Sequence, residues 1–291
     1  MPLTVSCSAS SHYVARTFKV RARAVSVAAF SAPRASRKTT DAARENEDAS
    51  FTQSLSPTVA CIGVADGVGS WRARGVDAGL YARILMQSAA STAQSTPVPS
   101  AASLLETAWK AAAKQQVIGS ATVCIAVIDA AAGVLDVAGV GDCECLVLRQ
   151  AGQGNWHVEC RTEPQLRSFN TPFQLGWTPS AADTDLFDSP SSGDTLRAQI
   201  RSGDVVMLAS DGVLDNLETA DITATVKKCA ALSARDNLAS DLARLLVDRA
   251  RDASLDTSRD GPFARLAKEN DICWRHGGRP DDVTVVVAIV P

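Results

Sequence analysis

Residues 58–67 read TVACIGVADG, a run that is apolar at almost every position and stops at Asp66-Gly67. A strand that is apolar on both faces has to be covered on both sides, by a second sheet on one and by helices on the other. The same pattern recurs at Ala121 to Ile128 (ATVCIAVI), Val134 to Val140, Cys145 to Arg149, Asp204 to Ala209 and Val283 to Val290, and Trp156 to Cys160 alternates as a half-buried strand would. Between these groups the spacing predicts helices over Val76 to Ala93, Ala101 to Gln116, Thr219 to Lys228 and Ala234 to Ala253. In the last, Leu238, Leu242, Leu245, Leu246 and Arg249 recur at helical spacing, and Asp215 to Thr219 offers caps for the one before it. Strands come in consecutive groups with long helices inserted, so the fold class is α+β, antiparallel sheets flanked by helices rather than a parallel alternation. Ser95 to Ser100 and Pro179 to Asp194 read as surface loops.

The chain has 291 residues, 46% of them hydrophobic, enough for a full core, and a formal charge of −3. That total hides an asymmetry. Residues 1–40 hold seven cations (Arg16, Lys19, Arg21, Arg23, Arg34, Arg37, Lys38) and no acid, which leaves 22 Lys and Arg against 32 Asp and Glu on residues 41–291. A body this acidic has no general affinity for nucleic acid or anionic lipid. The longest apolar run, Val283 to Val290, falls far short of a membrane-spanning helix, so no membrane insertion is expected.

The first 40 residues are rich in Ser, Ala and Arg, the composition of an organellar transit peptide, with a disordered basic tail as the alternative. Val14 to Phe30 could form a basic amphipathic helix, which favours a mitochondrial matrix; the uncharged, Ser-containing first eleven residues lean to a chloroplast stroma. Domain organisation on this reading is a leader over 1–40 and one catalytic domain over 41–291. Of eight cysteines, Cys61, Cys124 and Cys160 sit in strand runs as small buried thiols, and the Cys143-x-Cys145 pair has no second Cys/His pair at zinc spacing.

The chemistry lies where apolar strands stop. Asp66 follows IGVA, Asp142 follows VAGVG, Asp211 follows VVMLAS, and Asp281 and Asp282 precede the final strand. A lone Asp-Gly is an ordinary turn, but carboxylates ending several strands of one sandwich can meet at one edge. There they repel one another unless a cation sits among them, and hard oxygen donors select Mg²⁺ or Mn²⁺. Glu47, at the end of the acidic run from Arg44 to Asp48, stands just before the first strand region and can join them.

Six ordered motifs carry a family resemblance: Glu47-Asp48-Ala49, Val64 to Gly69 (VADGVG), Gly119 to Thr122 (GSAT), Gly141-Asp142, Ser210 to Asn216 (SDGVLDN) and Gly278 to Val285 (GRPDDVTV). Together they resemble the metal-dependent type 2C protein serine/threonine phosphatases over essentially all of residues 41–290. ADGVGSW (65–71), NTPFQL (170–175) and GPFA (261–264) resemble the organellar branch, mitochondrial or chloroplast. The resemblance implies a four-layer αββα sandwich with a dinuclear metal site at one edge. It implies hydrolysis of phosphoserine and phosphothreonine in phosphoprotein substrates by a water bridging two Mn²⁺ or Mg²⁺ ions, in a monomer. By matched position Asp66 bridges the ions, the Gly67 carbonyl binds one, Asp211 and Asp281 hold the other, and Glu47 acts directly or through water. Asp142 and Asp215, with Asp211, match a third ion; read without the resemblance, they are a turn Asp and an Asp beside a helix start.

Two positions depart from the family pattern. Some members carry a His after the Asp-Gly as general acid, and here that residue is Val68; His276 lies five residues before Asp281 in a Gly-rich loop. A phosphate-gripping Arg expected four residues before Glu47 is replaced by Ala43, with Arg44 next to it as the candidate. These departures keep a second function in view, a catalytically weak phosphatase fold acting as a phosphoprotein-binding or regulatory module. A third is a hydrolase of small phosphorylated metabolites.

Overall fold

The computed structural model describes residues 24–36, 45–95, 98–180, 187–274 and 276–291. One sheet has the order β1 (Ser26–Ala32), β13 (Val283–Ile289), β12 (Val205–Ala209), β6 (Glu144–Gln150), β7 (Trp156–Arg161). The other runs β11 (Asp194–Gln199), β5 (Val134–Val140), β4 (Gly119–Asp129), β3 (Val59–Gly67), β2 (Asp48–Ser56), with β10 (Leu175–Trp177) pairing to the end of β4, while β8 (Leu166–Ser168) and β9 (Thr171–Pro172) form a separate short pair. Every pairing in both sheets is antiparallel.

Three apolar layers hold the sandwich together. Ile62, Val64, Cys124, Ala126 and Val137 of one sheet meet Val147, Val206, Leu208 and Val286 of the other. On the outer face of the β2–β5 sheet lie α1 (Ala78–Ser95) and α2 (Ala101–Lys114), through Tyr81, Leu85, Leu104 and Leu105 against Val123 and Ile125. On the outer face of the β12–β13 sheet lie α4 (Thr219–Leu232) and α5 (Leu238–Leu255), through Ile222, Val226, Leu242 and Leu246 against Met207, Val285 and Val287. The expected αββα sandwich is the observed one, and strands such as β4 are apolar throughout because both of their faces are buried. Ser100 accepts the Ser103 N–H at the start of α2, and Glu218, within the expected cap segment Asp215 to Thr219, forms a reciprocal capping box with Asp221 at the start of α4.

The leader boundary needs correction. Ser26–Ala32 is not part of a detachable segment or of an amphipathic helix ending at Phe30; it is an edge strand paired along its whole length with β13, Ser26 to Ile289 through Ala32 to Val283. The folded body therefore begins before residue 26, and the earlier part of the expected leader, residues 1–23, lies outside the described residues. Strands β2 and β11 and helix α6 (Pro262–Glu269) were not expected, and Asp194 opens β11 rather than closing a loop. Both strands are half exposed and rich in Ser, Thr, Gln and charge, so neither shows a continuous apolar face.

Candidate metal centre

Asp66 is the penultimate residue of β3 and stands between two strands of the sheet, opposite Asp48 on β2 and opposite Thr122 on β4. Gly67 follows, and a Cβ there would lie 2.3 Å from the Ala78 carbonyl oxygen and 2.8 Å from that of Glu47. Only glycine lets the chain pass so close, which leaves its own backbone available to a ligand. The Gly67 N–H donates to the Glu47 carbonyl at 3.1 Å, bringing the start of β2 to the end of β3.

The opposite sheet contributes its carboxylates from neighbouring strand ends. Asp211 opens α3 (Asp211–Leu214) just beyond β12, and Asp281 lies just before β13, which pairs with β12. Asp142 comes from the turn between β5 and β6, where Gly141 takes φ +100°. Asp282 does different work from its neighbour: it accepts the backbone N–H of Arg34 and, at 2.8 Å, that of Glu47, clamping the exit of β1 and the entry of β2 to the final strand. Asp48 is buried and accepts from Ser210 Oγ at 2.8 Å, while Ser210 Oγ accepts the Thr284 N–H at 3.0 Å.

A cleft of about 380 Å³ opens over this edge, lined by Glu47, Asp66, Gly67, Asp142, Asp211 and Asp281 together with Arg34, Arg72, Gln174 and Arg279. Six of the seven expected metal positions therefore share one cavity; Asp215 lies beside it, in an adjoining groove of about 360 Å³. His276 is not among the lining residues and its side chain is 79% exposed near Asp260. Arg44 lies outside the described residues. Cys143 and Cys145 are both buried as free thiols.

The charge at this edge is out of balance. Asp66 is pushed well above the usual carboxylate range, first by burial and then by repulsion from Asp211, Asp48, Asp281 and Asp142. Burial likewise raises Asp48 to about 8, against hydrogen bonds from Thr284 and Ser210. Asp142 rises to about 7 by burial and by Asp211, and Asp281 to about 6 for the same two reasons, with Arg279 opposing in both. So many carboxylates cannot all ionise in one desolvated site without added positive charge.

The arginines supply part of it. Arg72 pairs with Glu47 at 2.9 Å, and Arg279 pairs with Asp211 at 2.8 Å, with Asp281 at 3.1 Å and closely with Asp215. With these guanidinium groups between them, no three Asp, Glu, His or Cys side chains among the described residues stand as a ready-made ligand set. Yet Asp48 Oδ1, Asp142 Oδ1 and Asp211 Oδ1 are buried and meet no donor among the described residues. Orphaned hard oxygens beside a glycine backbone fit a divalent cation of the Mg²⁺ or Mn²⁺ kind. Arg34, Arg72 and Arg279 carry no role in the sequence pattern: Arg72 and Arg279 do stand within a few residues of Asp66 and Asp281, whereas nothing local ties Arg34 to an expected carboxylate or strand.

Two antiparallel sheets with helices outside them and an acidic cleft at one shared edge form an architecture whose carboxylates fit divalent cations. Residues 56–291 match the family described as Stage II sporulation protein E. The chain is 35% identical over 252 residues to the protein phosphatase PTC7 homolog fig of Drosophila ananassae, covering 85% of this chain and 74% of that one. With its Drosophila willistoni counterpart it shares 34% over 255 residues, 85% and 78% of the two chains. In structure it is similar to the photosystem II phosphatase PBCP, with a TM-score of 0.75, 27% identity, and 92% and 99% of the two chains covered. It also shares the fold of the catalytic domain of the serine/threonine phosphatase PstP, solved with two manganese ions, at a TM-score of 0.53 and 17% identity over 91% and 97%. The chain belongs to the SpoIIE and type 2C family of metal-dependent protein serine/threonine phosphatases.

Proposed function

We propose that the chain removes phosphate from phosphoserine and phosphothreonine of proteins with two divalent cations held at the β3/β12/β13 edge. Asp66 and the Gly67 carbonyl, with Glu47, would hold one; Asp66, Asp211 and Asp281 would hold the other. The observation that carries this reading is one cleft lined by Asp66 near the end of β3 together with Glu47 before β2, Asp142 from the β5–β6 turn, Asp211 at the start of α3 and Asp281 just before β13. When bound, such a pair supplies an acidified water for in-line attack and neutralises phosphate charge. The chain's own groups do the rest. Arg34 and Arg72 line the cleft, where forked guanidinium donors suit a phosphate, and Arg34 would take the role expected of Arg44. Asp282 fixes the backbone of both Arg34 and Glu47, so the cation-holding and phosphate-holding sides are positioned by one carboxylate. Val68 lines the cleft and carries no proton, so the leaving alkoxide takes its proton from water or from a polar cleft group.

Retention of every expected carboxylate in or beside one cleft favours an enzyme over a binding module. The test is phosphate release from a phosphothreonine peptide and from a sugar phosphate, each with Mn²⁺, Mg²⁺ or EDTA. Metal-dependent turnover of the peptide, well above that of the sugar phosphate, is expected; the opposite preference would replace the protein substrate with a metabolite, and peptide binding without turnover would restore the binding module. We place the enzyme in a mitochondrial matrix or chloroplast stroma, with a leader that ends before β1. The support is the acid-free, Arg- and Ser-containing segment ahead of Ser26. A reporter carrying residues 1–24 should enter one organelle, and a cytosolic reporter would remove this assignment.

A further inference from the structure

Arg279 is held in place more firmly than a surface arginine near acids would be. Its N–H donates to Asn216 Oδ1 at 2.8 Å and its carbonyl accepts from Asn216 Nδ2 at 2.8 Å, while the same Nδ2 also reaches the Gly212 carbonyl at 2.9 Å. One buried amide thus ties Arg279 to the segment that carries Asp211 and Asp215. The guanidinium lies over the ring of Phe263 at 4.6 Å, and that ring is wedged by Phe169 at 5.2 Å and Trp274 at 4.8 Å. Phe263 belongs to α6, whose start is bound to the same corner: its N–H donates to the Asp215 carbonyl at 3.1 Å. Backbone, ring and carboxylates together aim the side chain at one place, and it is 18% exposed.

That place is the corner matched by position to a third cation. Arg279 Nη1 stands 2.8 Å from Asp211 Oδ2 and in close contact with Asp215 Oδ2, and Nη2 stands 3.1 Å from Asp281 Oδ2. A Mg²⁺ ion would sit about 2.1 Å from such oxygens. A nitrogen and a cation cannot both occupy the space between Asp211 and Asp215. Resting on the dinuclear reading above, we infer that Arg279 is a built-in substitute for the third cation, so that this chain takes up two divalent ions and not three. A guanidinium suits the task because its charge is permanent and its planar fork meets several carboxylates at once. Of the residues that would hold the two ions, Asp66, Gly67 and Glu47 make no ion pair with Arg279. Asp211 and Asp281 meet it through Oδ2, which leaves Asp211 Oδ1 without a donor among the described residues and open to the second ion; Asp215 serves as an anchor for Arg279. Arg279 is accordingly a positioning residue.

Mn²⁺ bound per chain, measured by equilibrium dialysis and metal analysis, tests this on the full chain and on Arg279→Met and Arg279→Gln. The wild type should hold two ions and each variant one more, and adding Asp215→Asn to either variant should remove the extra ion. In EDTA the variants should melt below the wild type, and Mn²⁺ should narrow that gap. Arg279→Gln keeps hydrogen-bonding capacity without the charge and serves should Arg279→Met not fold. Three ions in the wild type, or no additional ion in a folded variant, would overturn the inference. A wild type that binds no Mn²⁺ at all would instead remove the dinuclear reading on which it rests.

Discussion

β12 carries a carboxylate beyond each of its ends, buried Asp204 on one side and partly buried Asp211 on the other, and an arginine meets each of them. At the first end Arg149 donates through Nε to Asp204 Oδ1 at 2.8 Å and through Nη2 to Asp204 Oδ2 at 2.6 Å. It also donates to the Gln199 carbonyl at 3.1 Å and pairs with Glu159, while the Arg201 N–H reaches Asp204 Oδ2 at 2.9 Å. No oxygen of Asp204 or Glu159 is buried without a partner. At the other end one arginine faces three carboxylates, Asp66 and Asp142 share the same cleft, and Asp142 Oδ1 and Asp211 Oδ1 meet no donor among the described residues. The same residue types on the same strand thus build a closed ion pair and an open site. What separates them is the surplus of negative charge and unmet acceptors, since a satisfied buried pair asks for nothing further and an unsatisfied one asks for a cation.

Substitutions at the two ends should separate accordingly. Asp66→Asn should lower kcat for phosphate release on the order of a thousandfold or more, about 4 kcal/mol, since it removes the carboxylate shared by both cations; circular dichroism should show the fold intact. Asp204→Ala should cost roughly 3 kcal/mol in urea unfolding, the low end for breaking a buried pair, because Glu159 remains to hold Arg149. Its kcat, measured at low temperature where it is folded, should stay near that of the wild type. If Asp204→Ala removed activity without unfolding the protein, the contrast between the two ends would be lost.

Cation binding should sharpen the contrast further. Mn²⁺ at about 100 times its Kd should stabilise the wild type by about 2.7 kcal/mol for each ion bound, read as a rise in Tm. Asp204→Asn should keep that rise, and Asp66→Asn should lose most of it. The smallest effect is expected at Ser210→Ala, which takes a hydrogen-bond donor from buried Asp48 and an acceptor from the Thr284 N–H. A loss of about 1–2 kcal/mol in urea is expected, with the Mn²⁺-induced rise retained.

The open end was legible in the sequence to a degree the closed end was not. Asp66, Asp142, Asp211 and Asp281 each end or begin a long apolar run, so strand boundaries alone brought them to one edge. Strands β3 to β7, β12 and β13 were legible because burial on both faces leaves continuous apolar runs, with local alternation at β7. β1 was hidden by composition: its partner is β13, more than two hundred residues away, and the cations around it resemble a leader. With β1 mislaid, Arg34 could not be brought to the cleft, although Asp282 ties its backbone there. Arg279 and Asn216 sat inside the matched motifs, but their mutual hydrogen bonds join α3 to the approach of β13, and nothing local marks such a contact. Arg149 and Asp204 read only as the last residue of one expected strand and the first of another, which is what a closed structural pair looks like before folding.

The most direct test of the central claim is a Mn²⁺ titration of phosphate release from a phosphothreonine peptide by the full chain, with Asp66→Asn and Asp204→Asn beside it. Turnover that rises with Mn²⁺ in the wild type and in Asp204→Asn, and stays absent in a folded Asp66→Asn at every Mn²⁺ concentration, is the predicted result. An Asp66→Asn protein that keeps the wild-type rate would contradict the account.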